Sequence, residues 1–77
     1  MSAEARAARK ESVVNAVKRF YEQHGRYPEA YKVVQNLSML MEIKPKTIKE
    51  YCTELVIEGR LHQRGTVLVP AEQAVFR

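Results

Sequence analysis

Few side chains in this sequence have the chemistry for catalysis or metal binding. The 77 residues include one Cys, Cys52, and two His, His24 and His62, and they include no Asp. A catalytic nucleophile needs a positioned base, and a zinc site needs ligands at short, regular spacings. Neither pattern occurs, and no Gly-rich loop is present to cradle phosphates. The sequence therefore predicts neither an enzyme nor a cofactor or metal site.

A short basic cluster is the next feature that could bind a ligand. It consists of Lys44, Lys46 and Lys49, in a chain whose formal net charge is +4. A positive excess favours anionic partners only weakly, because many proteins without such partners share it. On composition alone the three lysines are more simply interpreted as a solvated surface than as phosphate contacts.

Length and composition set the class of protein. A chain of 77 residues forms one domain, and a single Cys excludes a disulfide scaffold. No apolar run approaches the roughly 20 residues of a membrane span. The first residues are charged and lack the apolar core of a signal peptide, so a reducing cytoplasm is the expected location.

The elements that would position these side chains follow from periodicity and from breakers. Helical spacing predicts helices over 3–24, 29–41 and 45–58, with Gly25 ending the first, Pro45 opening the third and Gly59 stopping it. Residues 60–63 and 66–69 then read as a two-stranded hairpin with Gly65 in the turn. The predicted fold class is mainly α, three helices with a small antiparallel hairpin. We divide the chain into a basic extension of helix 1 (1–12), the domain (13–70) and a tail (71–77).

Apolar stripes define which faces of the helices point inward. They comprise Val13, Val17, Phe20 and Tyr21 in helix 1, Val33, Val34, Leu37, Leu40 and Met41 in helix 2, and Ile48, Tyr51, Cys52 and Leu55 in helix 3. Lys46, Lys49, Glu50 and Thr53 fall on the outward side of helix 3, and Ile57 also points away from the core. The stripe of helix 1 starts only at Val13, so its first turns are expected to be a frayed basic arm.

Two stretches carry a resemblance to a known fold family. The segment 36–55, NLSMLMEIKPKTIKEYCTEL, follows a helix, a tight turn and a second helix, and 55–61, LVIEGRL, has a Leu, three residues, Gly, any residue and an aliphatic residue. Both are similar to the winged helix-turn-helix domains of prokaryotic regulators. The resemblance covers roughly 13–70. It departs from the usual pattern at Glu42, where Gly is common, and at Lys44, where a capping Ser or Thr is common.

The resemblance implies binding to double-stranded DNA by a small transcriptional regulator, most simply a repressor. Helix 3 would enter the major groove, and the hairpin would contact the flanking backbone or minor groove. The residues expected at DNA are Lys44, Lys46, Thr47, Lys49, Glu50, Thr53, His62 and Arg64. Arg6, Arg9 and Lys10 are first of all a solvated face of helix 1 and, as an alternative, contacts from an arm that reaches over the DNA. Dimerisation would use the N-terminal helix or the tail around Val75 and Phe76.

Several of these residues have a second interpretation. Glu50, Glu54 and Glu58 form a row that is expected to pair with Lys46, Lys49 or Arg60, while Glu50 is also a candidate acceptor for a cytosine amine. Thr47 is a candidate contact to phosphate or base and equally a candidate cap for the start of helix 3.

Other residues are first of all structural. Cys52 is expected to be a small buried hydrophobe rather than a thiol sensor, and Tyr27 and Tyr31 to seal the core rather than to reach phosphate. His62 is first of all a surface residue.

Two other functions fit the same fold. One is a protein-interaction module without DNA, which the outward Ile57, the acidic row and the apolar tail favour. The other is an architectural or recombination accessory factor of the excisionase type, which would bend DNA with little sequence preference.

Overall fold

The computed structural model describes residues 2–73 and contains three helices and one hairpin. The elements are α1 (Ala3–His24), α2 (Ala30–Met41), α3 (Pro45–Ile57), β1 (Leu61–Arg64), β2 (Val67–Pro70) and a 3₁₀ turn (Ala71–Gln73). The predicted fold class, three helices with an antiparallel hairpin, is confirmed. Val75 and Phe76 of the tail lie outside the described residues.

The helix ends follow the local signals in the sequence. The Ser2 side chain accepts a hydrogen bond from the Ala5 amide at 3.1 Å, which satisfies one free donor of the first turn of α1. Gly25 takes the left-handed conformation with φ 70°, and Pro45 occupies the first turn of α3. The expectation of a frayed start to α1 was wrong, because the helix is continuous from Ala3.

The hairpin is joined to the start of α2 by a bridge that sequence patterning did not predict. β1 and β2 pair antiparallel with Leu61 opposite Pro70, and Glu29 forms an isolated bridge with Val67. The Ala30 amide donates to the Thr66 carbonyl at 2.7 Å, and the Leu68 amide donates to the Pro28 carbonyl at 3.0 Å. The turn of the hairpin thus supplies an acceptor for the first turn of α2, which has no side-chain cap.

The core collects the inward faces of all three helices and of the hairpin. Its members include Val13, Val14, Val17, Val33, Val34, Leu37, Ile48, Tyr51, Cys52, Leu55, Leu61 and Leu68. The buried stripe of α3 is the predicted one, and Cys52 is buried as expected.

Three apolar residues that were expected inside lie at the surface instead. Leu40 is 76% exposed, Tyr31 is 53% exposed and Tyr21 is 40% exposed. Tyr21 stacks on Tyr27 with ring centroids 4.3 Å apart, so its ring covers a neighbour rather than entering the core.

The connection between α2 and α3 is a tight turn centred on a strained residue. Glu42 ends α2 in the left-handed conformation, with φ 54° and ψ 41°. The Ser38 carbonyl accepts from the amides of Glu42 and Ile43, and the Ser38 hydroxyl donates to the Ile43 carbonyl at 2.6 Å. These bonds close the turn between α2 and α3.

Candidate nucleic-acid interface

The outer face of α3 carries the predicted polar residues on its exposed side. Lys46, Lys49, Glu50 and Thr53 are exposed, whereas Ile48, Tyr51, Cys52 and Leu55 on the opposite side are buried. The Thr53 hydroxyl donates to the Lys49 carbonyl at 3.1 Å, which leaves its oxygen free to accept a further bond. The helix therefore presents two ammonium groups, a carboxylate and a hydroxyl on one surface.

The N-terminus of α3 adds backbone charge to the same surface. Lys44 is the N-cap residue, and no side chain caps this end of the helix. The Thr47 amide donates to the Lys44 carbonyl at 2.9 Å, while the Thr47 side chain is half-buried. The structure shows no capping bond from Thr47. An uncapped helix start carries a partial positive charge that attracts anions, in addition to the nearby lysines.

In the acidic row of α3, Glu54 and Glu58 form ion pairs and Glu50 forms none within the described residues. Glu54 accepts from Arg6 and from Lys10, the latter at 3.4 Å, and Glu58 accepts from Lys10 at 2.6 Å. The expected pairing with Lys46 or Lys49 was wrong, because the cations come from the first turns of α1. Arg60 pairs instead with Glu11 at 2.7 Å.

These ion pairs also correct the prediction of a free basic arm. Arg6 and Lys10 hold the start of α1 against the C-terminal half of α3, and the Arg6 guanidinium lies 5.0 Å from the centroid of the Tyr51 ring. The hydrogen bond to Glu58 is the largest influence on the Lys10 ammonium, and it raises the pKa of Lys10 above 10.5. Arg9 is half-buried on the same helix.

The cations at the start of α3 differ from those of α1. Within residues 2–73, Arg6, Lys10, Lys18 and Arg60 form ion pairs, whereas Lys44, Lys46 and Lys49 form none. Glu54 and Glu58 are thus paired with cations of α1. The three lysines are exposed and form no ion pair within residues 2–73, although the Glu50 carboxylate shares their face of α3.

The hairpin brings different residues to α3 from those predicted. Gln63 and Thr66 line the groove beside Lys46 and Lys49. Arg64 instead lines a hollow on the other side of the hairpin, together with Arg26 and Lys32. His62 is half-buried and pairs with Val69 across the hairpin.

Strand alternation explains this division, because neighbouring residues of a strand point to opposite faces. Gln63 shares its face of β1 with the buried Leu61, so it faces the helices, whereas Arg64 faces away from that groove. The period of two was the signal in the sequence that pointed to Gln63.

The groove also includes Tyr31 and Gln35 from α2, which sequence reasoning did not assign to this surface. They lie one helical turn apart and both are exposed. Burial raises the pKa of Cys52, whose side chain forms part of the groove, to about 11. The thiol is therefore protonated at neutral pH and is not a ready nucleophile.

In comparisons with known proteins, no family model, no curated protein and no solved structure matches the chain. Within the described residues, no helix combines the length and apolar character of a membrane span. In the same part of the chain, no three His, Cys, Asp or Glu side chains come together as metal ligands would.

Proposed function

We propose that the chain is a small winged helix-turn-helix protein that binds double-stranded DNA. In this proposal α3 is the recognition helix and enters the major groove with its N-terminal half, and the hairpin lies against the flanking backbone as the wing. The single observation that carries the proposal is the separation of charge described above. Lys44, Lys46 and Lys49 are exposed at the start of α3 without ion-pair partners in residues 2–73, whereas Glu54 and Glu58 are held by α1.

The roles of the side chains follow from their chemistry. The lysines and the uncapped start of α3 contact phosphates, which gives affinity without sequence preference. Glu50 and Thr53 contact base edges, where a carboxylate accepts from the cytosine amine and a hydroxyl bonds to several bases. Gln63 and Thr66 extend the contact from the hairpin. A protein of this kind acts in the cytoplasm at the nucleoid, as a transcriptional regulator and most simply as a repressor.

The experiment is a salt series with a labelled random-sequence duplex, followed by fluorescence anisotropy. The proposal predicts that the logarithm of the association constant falls linearly with the logarithm of salt concentration, because binding releases counterions from phosphates. Failure to bind the duplex even at low salt would contradict it, since non-specific affinity comes from the same contacts. A measurable affinity would justify selection of preferred sites from a random pool.

A second candidate, a protein-interaction module, is favoured by three exposed apolar residues. Met39 is 82% exposed, Ile57 is 79% exposed and Leu40 is 76% exposed. Large apolar side chains on a surface often mark protein contacts when they are contiguous. Met39 and Leu40 end α2, whereas Ile57 ends α3, so they belong to different helix ends. Met39→Ser with Leu40→Ser tests this candidate by analytical ultracentrifugation: self-association of the wild type that this double variant loses would support it, and a monomeric wild type would count against a second copy of the chain as the partner.

A further inference from the structure

The concave surface between α2, α3 and the hairpin has the size of a small-molecule site. It is a groove of about 820 Å³, within the roughly 300–1,000 Å³ of typical ligand pockets. Its floor is apolar and buried, formed by Val34, Cys52 and Leu68, while Lys46, Lys49 and Gln63 stand around it. An apolar floor with a few polar groups at the edge is the usual composition of a ligand site.

The charge of the groove is of one sign. No carboxylate is among its lining residues in the described chain, and both lysines lack an ion pair there. The hollow on the other side of the hairpin, of about 700 Å³, differs because Glu29 forms part of its wall beside the cations. Two ammonium groups above an apolar floor complement a molecule with an apolar body and a negative head.

We propose that this groove binds an aromatic organic anion, a carboxylate or sulfonate on a planar apolar body. The head group lies between Lys46 and Lys49 and accepts their hydrogen bonds, and the ring system covers Val34, Cys52 and Leu68. The regulatory consequence rests on the proposed function: since the same two lysines contact phosphates, the bound anion and DNA exclude each other. The groove is then an effector site within the DNA-binding surface.

The test uses the fluorescent anion 8-anilinonaphthalene-1-sulfonate, which is dark in water and bright in apolar sites. The proposal predicts saturable binding to the wild-type chain. Lys46→Gln with Lys49→Gln should weaken it about tenfold, because charge-assisted hydrogen bonds are lost. The matched control is Arg19→Gln with Lys32→Gln, which removes the same charge from exposed positions of α1 and α2 outside the groove. Equal affinity in both double variants would overturn the proposal.

Cys52 gives a second readout that does not depend on lysine. Its thiol lines the groove, and burial raises its pKa to about 11, so alkylation by iodoacetamide is slow and is followed at about pH 9, where lysine side chains are ordinarily still charged. A molecule seated on the groove floor should slow this alkylation in proportion to its saturation. Unchanged alkylation at saturating anion would show that the molecule binds elsewhere, which contradicts the proposal.

Competition with duplex DNA separates this inference from the proposed function. Displacement of the fluorescent anion by DNA supports both. If DNA binds and the anion stays, mutual exclusion is wrong. If DNA fails to bind while the anion protects Cys52, the DNA-binding proposal fails and the anion site stands.

Discussion

The Lys10 ammonium lies 2.6 Å from a carboxylate oxygen of Glu58, although 48 residues separate them in the chain. This contact fixes the first turns of α1 on the C-terminal half of α3. Glu58 follows the last residue of α3, so the pair lies at the opposite end of the helix from Lys46 and Lys49. This ion pair thus links the start of α1 to the end of α3.

We call the ion pair of Lys10 and Glu58 the clamp between α1 and α3, and a charge-reversal cycle tests it. Lys10→Glu should lower the free energy of unfolding, because it places a carboxylate beside Glu54 and Glu58, and Glu58→Lys in the same chain should recover part of the loss. Chemical unfolding of the wild type, both single variants and the double variant measures the coupling. Additive losses would show that the two side chains do not interact.

The clamp also predicts a pH dependence. The pKa of Lys10 is raised in the folded chain by Glu58, so its stabilising contribution is complete below the unfolded value of 10.5 and disappears as the pH rises through the higher folded value. The difference in unfolding free energy between the wild type and Lys10→Met should therefore shrink on the alkaline side of pH 10.5. A constant difference across that range would contradict the assignment.

The turn between α2 and α3 contains a residue whose replacement should stabilise the fold. Glu42 adopts φ 54°, a conformation that costs a side-chain-bearing residue about 1–2 kcal/mol and costs Gly almost nothing. Glu42→Gly should raise the free energy of unfolding by about 1 kcal/mol relative to Glu42→Ala, which removes the charge and keeps the strain. Thermal and denaturant unfolding of the two variants measure the difference. If both are equally stable, strain at this position is not significant.

A buried hydroxyl in the core leads to a fourth prediction. Tyr51 is fully buried, and its hydroxyl has no hydrogen-bond partner within residues 2–73. Tyr51→Phe removes this unpaired group and keeps the ring under Arg6, so it should leave stability unchanged or raise it by up to about 1 kcal/mol. Tyr27→Phe is the control, because the Tyr27 hydroxyl donates to Gln73 at 3.0 Å. A loss at position 51 larger than at position 27 would reveal a partner for the Tyr51 hydroxyl.

The elements of the fold were predictable because their signals are local. Gly25 and Pro45 mark helix ends within a few residues, and the spacing of Ile48, Cys52 and Leu55 defines the inner face of α3. The same helical spacing predicted that Lys46 and Lys49 would be exposed. These features need no knowledge of distant parts of the chain.

The features that were not predicted depend on distant partners. The start of α1 was expected to fray because it has no apolar stripe, yet Arg6 and Lys10 find carboxylates on α3 that sequence spacing does not reveal. The bridge of Glu29 to Val67 is a single residue pair, too short to leave a period of two. Arg64 is an exception, because the alternation of residues along β1 from the buried Leu61 is a local signal that places Arg64 on the opposite face from Gln63.

The most direct test of the DNA-binding account compares salt slopes. Lys46→Gln with Lys49→Gln removes two proposed phosphate contacts, so the slope of log association constant against log salt should become shallower by about 1.8. Arg19→Gln with Lys32→Gln removes the same charge from helix faces outside the proposed interface, and its slope should stay close to that of the wild type. Anisotropy titrations of the three proteins against one duplex decide the matter. Equal slopes for the two double variants would mean that α3 does not face the DNA.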